Sequence, residues 1–161
     1  MEKSIEEKDS GARFEECMER ILGLRQADAR AYSPLTLAYI GDSIYDLVIK
    51  TLVISQGNRP VNALHRMTSS LVQASAQSRM MRTLQEMLTE EEHAVYKRGR
   101  NAKSVSPARN QSVTDYRRAT GFEALMGYLY LERQWERMLF LIKAGLASLE
   151  EGAPEKEEEE E

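Results

Sequence analysis

Apolar side chains recur along most of the chain at the spacing of one helix face, three or four residues apart. The first such stripe is formed by Phe14, Met18, Ile21 and Leu22. No segment alternates apolar and polar residues over a length that would predict a strand. The pattern therefore predicts an all-α fold, with helices over residues 13–26, 34–54, 62–87, 90–98, 112–131 and 134–149.

Several helix starts are marked by side chains that can accept hydrogen bonds from free backbone N–H groups. Ser33 precedes Pro34, and proline fits the first position of a helix because it lacks the N–H that would be unpaired there. Asn62 is the predicted cap of the next helix. Thr89 and Glu92 have the spacing of a capping box and predict the start of a short helix.

The chain has 161 residues, which is enough for one domain with one core. Its single cysteine excludes an internal disulfide and a cysteine-based zinc site, and it favours a reducing, cytoplasmic location. No apolar run is long enough to cross a membrane, and the first residues do not resemble a secretory signal. We expect a disordered segment over 1–11, one domain over 12–149 and a disordered acidic tail over 150–161, since both ends are rich in charge.

The helix predicted over 34–54 is apolar on nearly every side, which is typical of a helix that is buried or lies at a subunit contact. Asp42 stands in its middle beside Gly41, and Asp46 follows one turn later. A carboxylate in such surroundings needs a cation or hydrogen-bond donors. The plainer interpretation is an ion pair or a set of hydrogen bonds with a neighbouring helix, and the other is a functional acid.

The helix predicted over 112–131 repeats this arrangement, because Glu123 is the one charged residue in an apolar stretch that also contains Gly127. Glycine weakens a helix interior, so its presence there indicates a close approach of backbone or ligand. A salt bridge to Arg79 or Arg82 would explain Glu123. Alternatively, two acids that converge on one site would suit a cation that prefers oxygen ligands, such as Mg²⁺.

Positive charge is concentrated in residues 97–118, which contain seven Lys and Arg side chains against one Asp. Most of this segment is a predicted loop over 99–110, rich in Ser and Asn. Basic, amide and hydroxyl side chains together suit phosphates and sugar hydroxyls. The alternative is an ordinary solvated loop.

The net charge of −4 points away from a nucleic-acid partner, but the two ends of the chain carry it. Residues 1–9 and 150–161 together hold 12 of the 26 acidic residues and only three of the 22 basic ones. The remaining residues, 10–149, therefore have 14 acids against 19 bases. A mildly basic body is compatible with a polyanionic partner.

The stretch LAYIGDSIY at 37–45 resembles the signature of the ribonuclease III family, which has a Leu-Gly-Asp core, and FEALMG at 122–127 resembles the second acidic helix of that family. Three further stretches resemble the compact Mini-III branch of the family: NALH at 62–65, RGRNAKS at 98–104 and YRRATGFEAL at 116–125.

The resemblance implies a homodimeric ribonuclease III-like helical bundle that cleaves double-stranded RNA with Mg²⁺, or with Mn²⁺ as the alternative ion, and has no separate RNA-binding domain. Mini-III members trim the precursor of the large-subunit (23S) ribosomal RNA, so a ribosomal protein is a conceivable partner. By position, Asp42 and Glu123 would be catalytic residues and metal ligands, and the apolar helix 34–54 would form much of the dimer contact. The candidate RNA-binding residues are Lys97, Arg98, Arg100, Asn101, Lys103, Arg117 and Arg118.

The chain departs from the wider family at two positions. Ala38 and Thr120 stand where other members have a second Glu and a second Asp, and the Mini-III branch shares this smaller set of acids. Fewer acids imply a metal site with more water ligands. They also leave a different class of function open, a non-catalytic helical RNA-binding or ribosome-associated dimer, and a plain protein-interaction module is a third possibility.

Overall fold

The fold is described by a computed structural model over residues 13–102 and 112–151. All regular structure in these two stretches is helical, which confirms the predicted all-α class. None of these helices is long and apolar enough to span a bilayer. The helices are α1 (Phe14–Leu22), α2 (Pro34–Ser55), α3 (Val61–Val72), α4 (Ala74–Leu84), α5 (Glu90–Asn101), α6 (Val113–Leu131) and α7 (Trp135–Glu151), with 3₁₀ turns at Ala29–Ala31 and Gln85–Met87.

Two of the predicted helix starts are confirmed in atomic detail. The Ser33 hydroxyl accepts a hydrogen bond from the Thr36 N–H at 3.2 Å, at the start of α2. At the start of α5, Thr89 accepts from the Glu92 N–H at 3.2 Å, and the Glu92 carboxylate accepts from the Thr89 N–H at 2.9 Å. These caps depend on side chains within three residues of each other, which is why the sequence alone predicts them.

The single helix predicted over 62–87 is wrong, because the chain breaks into α3 and α4 at Gln73. Gln73 has an extended backbone, with φ −63° and ψ 153°. The carbonyl groups just before it have other partners, since the Tyr45 hydroxyl donates to Leu71 at 2.7 Å and Gln77 Nε2 donates to Val72 at 2.9 Å. The predicted cap at Asn62 is also wrong, since Pro60 is the N-cap and α3 begins at Val61.

The centre of the fold is α6, against which α2, α4 and α5 pack. Between Ala119 and Leu129 every residue of α6 is buried except Glu123, which is half-buried. A helix that packs on several sides has no polar face, and this accounts for its apolar sequence. The largest fully buried side chains are Tyr45, Tyr96, Phe122, Leu37, Ile49, Met80, Met81, Leu84, Leu125, Met126, Leu129 and Leu141.

An ion pair fixes α7 to the beginning of α5. The Arg137 guanidinium donates to both Glu92 carboxylate oxygens at 2.9 Å and to the Met87 carbonyl at 2.8 Å. Burial raises the pKa of Glu92, but the hydrogen bonds from Arg137 and Thr89 outweigh it and hold that pKa below its usual range. The pair therefore helps to keep the end of the bundle closed around the core.

The first helix, α1, is amphipathic as predicted but has no buried residue. Phe14 is 70% exposed and Ile21 is 69% exposed. The contacts of α1 with the body include ion pairs from Arg133 to Glu16 and Glu19. The apolar stripe of this helix is thus not part of the core.

Candidate active site

Two glycines bring the backbones of α2 and α6 into direct contact. A Cβ atom on Gly41 would lie 1.7 Å from the carbonyl oxygen of Glu123, and one on Gly127 would lie 2.0 Å from the carbonyl oxygen of Leu37. Any larger residue at either position would push the helices apart. Gly127, which was predicted to mark a close approach, therefore lies together with Gly41 at the crossing of these two helices.

This crossing places the two predicted acids side by side. Asp42 follows Gly41 directly, and Glu123 is the residue whose carbonyl group Gly41 touches. The Asp42 side chain is exposed and that of Glu123 is half-buried. The two carboxyl groups lie within hydrogen-bonding reach of each other, although 81 residues separate them in the sequence.

The electrostatics of Glu123 favour the site interpretation over the salt bridge. Burial, followed by the charge and hydrogen bonding of Asp42, raises the pKa of Glu123 to about 8. A paired Arg79 or Arg82 would have lowered this pKa. Two carboxyl groups in contact repel each other when both are ionised, and a divalent cation between them would remove that repulsion.

The donor set fits a hard cation with few protein ligands. In the described part of the chain, no third His, Cys, Asp or Glu joins the pair to make a fuller metal cluster. Ala38 and Thr120 are buried, and the Thr120 hydroxyl is used in a bond to the Tyr116 carbonyl at 2.9 Å. Two carboxylates and a set of waters suit Mg²⁺, which keeps much of its hydration shell.

Asp46, the other acid on α2, is not part of this pair. Its carboxylate lies 2.8 Å from Lys50 Nζ, one turn further along the helix. An ordinary i to i+4 ion pair on the surface explains it fully.

Replacing Glu123 with Gln should stabilise the metal-free protein at pH 8 but not at pH 4.5. The raised pKa means that the folded protein keeps a proton that the unfolded chain loses above its usual pKa of 4.5. Stability therefore falls as the pH rises from about 4.5 to about 8. Glutamine stays neutral and escapes this loss, so the melting temperature at pH 8 should rise by a few °C, on the order of a 1 kcal/mol gain.

Thermal unfolding in EDTA across this pH range measures the effect. The matched control is Glu136→Gln, at an exposed position on a different helix, α7. A gain at Glu123 that is equal at both pH values, or absent at pH 8, would contradict the electrostatic description of the pair.

The predicted RNA-binding residues that the structure describes differ in their exposure to solvent. Lys97, Arg98 and Asn101 on α5 and Arg117 on α6 are exposed. Arg100 and Arg118 are half-buried. Lys103 lies outside the described residues, and α5 continues to Asn101, beyond the helix end predicted at residue 98.

Tyr96, between these two helices, was missed by the sequence analysis. It is fully buried, and the guanidinium carbon of Arg100 lies 5.6 Å from the centre of its ring. A Cβ atom on Gly121 would lie 2.7 Å from that ring. The sequence signal was the i to i+4 spacing of Tyr96 and Arg100, which puts them on one face of a helix.

Comparison with known proteins agrees with this arrangement. The model of the ribonuclease III domain family matches residues 35–134, a range that contains both acids and the α2–α6 crossing. A protein from Enterococcus faecalis named Mini-ribonuclease 3 is 51% identical over 117 residues, which cover 71% of this chain and 89% of that protein. Another protein of that name, from Clostridium tetani, is 46% identical over 127 residues, 78% of this chain and 84% of that one.

A solved structure has a similar fold. The crystal structure of a protein from Fusobacterium nucleatum superimposes with a TM-score of 0.68 and 31% sequence identity. The match covers 73% of this chain and 96% of that chain. The shared region is thus nearly the whole of the other protein.

Proposed function

Since this chain belongs to the ribonuclease III family and is an endoribonuclease, we propose that it cleaves double-stranded RNA in a reaction that depends on Mg²⁺ held by Asp42 and Glu123. The observation that carries the proposal is the contact between these two carboxyl groups at the α2–α6 crossing. They come from two separate helices and share a partly exposed position where a phosphate of a bound RNA can reach them.

In this proposal Asp42 and Glu123 are the protein ligands of the metal, and Mn²⁺ is the alternative ion with the same oxygen preference. When bound, such an ion neutralises charge on the cleaved phosphate and lowers the pKa of a coordinated water. The carboxylates fix the ion's place relative to the RNA, and Glu123 must give up its proton to do so.

The basic residues at the junction of α5 and α6 bind the RNA backbone in this proposal. Lys97, Arg98 and Arg117 are exposed there, and their long side chains can follow phosphates without reading sequence. Such contacts release counterions, so the affinity for RNA should fall as the salt concentration rises.

The physiological substrate we propose is the stem that surrounds 23S ribosomal RNA in its precursor, which places the enzyme in the cytoplasm with a ribosomal protein as a conceivable helper. Similarity over most of the chain to proteins named Mini-ribonuclease 3 supports this substrate. The match covers 89% of the Enterococcus relative, so the proposal draws on similarity to most of that protein.

A homodimer is the assembly that α2 favours. Tyr39 is 78% exposed, and Leu47 and Ile54 on the same helix are also largely exposed. Exposed apolar side chains of this size on one helix are typical of a subunit interface. Two copies joined there would present two acid pairs, one for each strand of a duplex.

We expect the purified protein to cut a precursor 23S stem at defined positions in both strands, and an unrelated duplex of equal length much more slowly. Mapping of the new 5′ ends after incubation with Mg²⁺ measures this. Equal cutting of both duplexes would contradict the ribosomal substrate while leaving the nuclease activity intact. A shifted but uncut precursor would favour the alternative function, a non-catalytic RNA-binding dimer.

A further inference from the structure

The Tyr96 side chain contains a polar atom without a hydrogen-bond partner. The residue is fully buried, and its hydroxyl oxygen makes no hydrogen bond of ordinary geometry among the described residues, although the Arg100 side chain lies close to it. Most buried polar groups in proteins have a hydrogen-bond partner, and an exception calls for an explanation. Tyr96 is therefore a position where a missing interaction is expected.

Two arginines from different helices converge on this tyrosine. Arg100 belongs to α5, and its guanidinium stacks on the Tyr96 ring at 5.6 Å. Arg118 lies one turn before Gly121 on α6, and Gly121 is in contact with the same ring. Burial raises the pKa of Tyr96, while the positive charges of Arg100 and Arg118 and the approach of the Arg100 side chain to the hydroxyl act in the opposite direction.

Neither arginine has an acidic partner to balance its charge. No ion pair to Arg100 or Arg118 occurs in the described ranges, and residues 103–111 between the helices include no Asp or Glu. Two half-buried like charges near one another repel, and the repulsion is stronger than in open water. An anion bound by both would remove that repulsion.

We propose that Arg100 and Arg118 form a clamp for one backbone phosphate of the RNA, and that the ring and the hydroxyl of the buried Tyr96 position both guanidinium groups. The proposal rests on the RNA-binding function proposed above and adds a specific place for one phosphate. Arg118 lies five residues before Glu123, about 7.5 Å along the α6 axis and on the side that faces α5.

The exposed bases nearby have a different role in this proposal. Arg117 is the neighbour of Arg118 but is exposed and does not lie at Tyr96. Its contact with RNA should be general and independent of any single phosphate. Arg117→Gln is thus the matched control, with the same change of charge at the next position.

The clamp is tested by binding of a duplex RNA in EDTA, where no cleavage occurs, with single phosphates replaced one at a time by neutral methylphosphonates. Arg100→Gln and Arg118→Gln should each weaken binding by about tenfold, as expected for a lost charge-assisted hydrogen bond. The double variant should bind the duplex far less than about a hundredfold more weakly than the wild type, which is the effect expected if the two losses were independent.

When the methylphosphonate stands at one particular position of the duplex, the wild type and both variants should bind the RNA with equal affinity. The Arg117→Gln loss should persist with that same RNA. Independent losses at positions 100 and 118, or no shared phosphate position, would overturn the clamp. If the wild type itself fails to bind any duplex, the proposed function fails instead, so the two failures are distinguishable.

Tyr96→Phe tests the positioning role separately, since it keeps the ring and removes only the hydroxyl. Its melting temperature should be unchanged or higher, because the hydroxyl has no partner in the free protein. Binding of the unmodified duplex should weaken about threefold, which is less than the loss of a whole hydrogen bond. With the duplex that carries the methylphosphonate at the shared position, this variant and the wild type should bind equally. Equal binding by this variant and the wild type would overturn the role given to the hydroxyl.

Discussion

Asp42→Asn should give a folded protein that binds double-stranded RNA but cleaves it at least about a thousandfold more slowly, the range found when a central catalytic group is lost. Asparagine keeps the size of the side chain but not its charge, so the pair loses half of its metal-binding charge. Asp42 is exposed, and its removal also relieves the repulsion with Glu123, so stability should not fall. Single-turnover cleavage and an RNA gel shift measure the two parts of this prediction.

Asp46→Asn is the matched control for this variant. It changes the same residue type one turn along α2, where the acid is paired with Lys50 on the surface. Cleavage by this control should equal that of the wild type. Full activity of Asp42→Asn would show that Asp42 is not a metal ligand.

Gly127→Ala should strongly destabilise the protein. The new Cβ would lie 2.0 Å from the Leu37 carbonyl oxygen, and both partners are backbone of packed helices that cannot move aside separately. We expect a loss of more than about 3 kcal/mol of unfolding free energy, or no cooperative unfolding at all, since overpacking of this kind shifts whole helices.

Urea denaturation followed by circular dichroism measures this loss, and Gly145→Ala on α7 is the control. There the new Cβ would meet the terminal methyl group of Met80 at 2.4 Å, which is the end of a flexible side chain. The gain in helix propensity offsets part of that contact, so the control should stay within about 1 kcal/mol of the wild type. Equal stability of Gly127→Ala and the wild type would contradict the close crossing of α2 and α6.

Much of this fold could be predicted because its signals are local. The Ser33 cap and the capping box of Thr89 and Glu92 each depend on residues three apart, and the structure has them as predicted. The break at Gln73 could not be predicted, because neither Gly nor Pro marks it. It is accompanied by a hydrogen bond from the Tyr45 hydroxyl to the Leu71 carbonyl, and these two residues are 26 positions apart in the sequence. Likewise, α1 has the stripe of a core helix but is left on the surface.

For the candidate site, the sequence indicated which residues matter but not how they meet. The isolated acids Asp42 and Glu123, each near a glycine in an apolar helix, were visible as anomalies. Their contact depends on the crossing of two helices, which spacing within one helix does not reveal. Tyr96 was missed because an aromatic residue in a helix is ordinarily core, and its unpaired hydroxyl is visible only once the neighbours are placed.

The most direct test of the proposed function is incubation of the purified wild-type protein with a double-stranded RNA in Mg²⁺ and, in parallel, in EDTA. We predict cleavage of both strands with Mg²⁺, and binding without cleavage in EDTA. Cleavage that is equally fast in EDTA, or binding with no cleavage in either buffer, would contradict a metal-dependent nuclease site at Asp42 and Glu123.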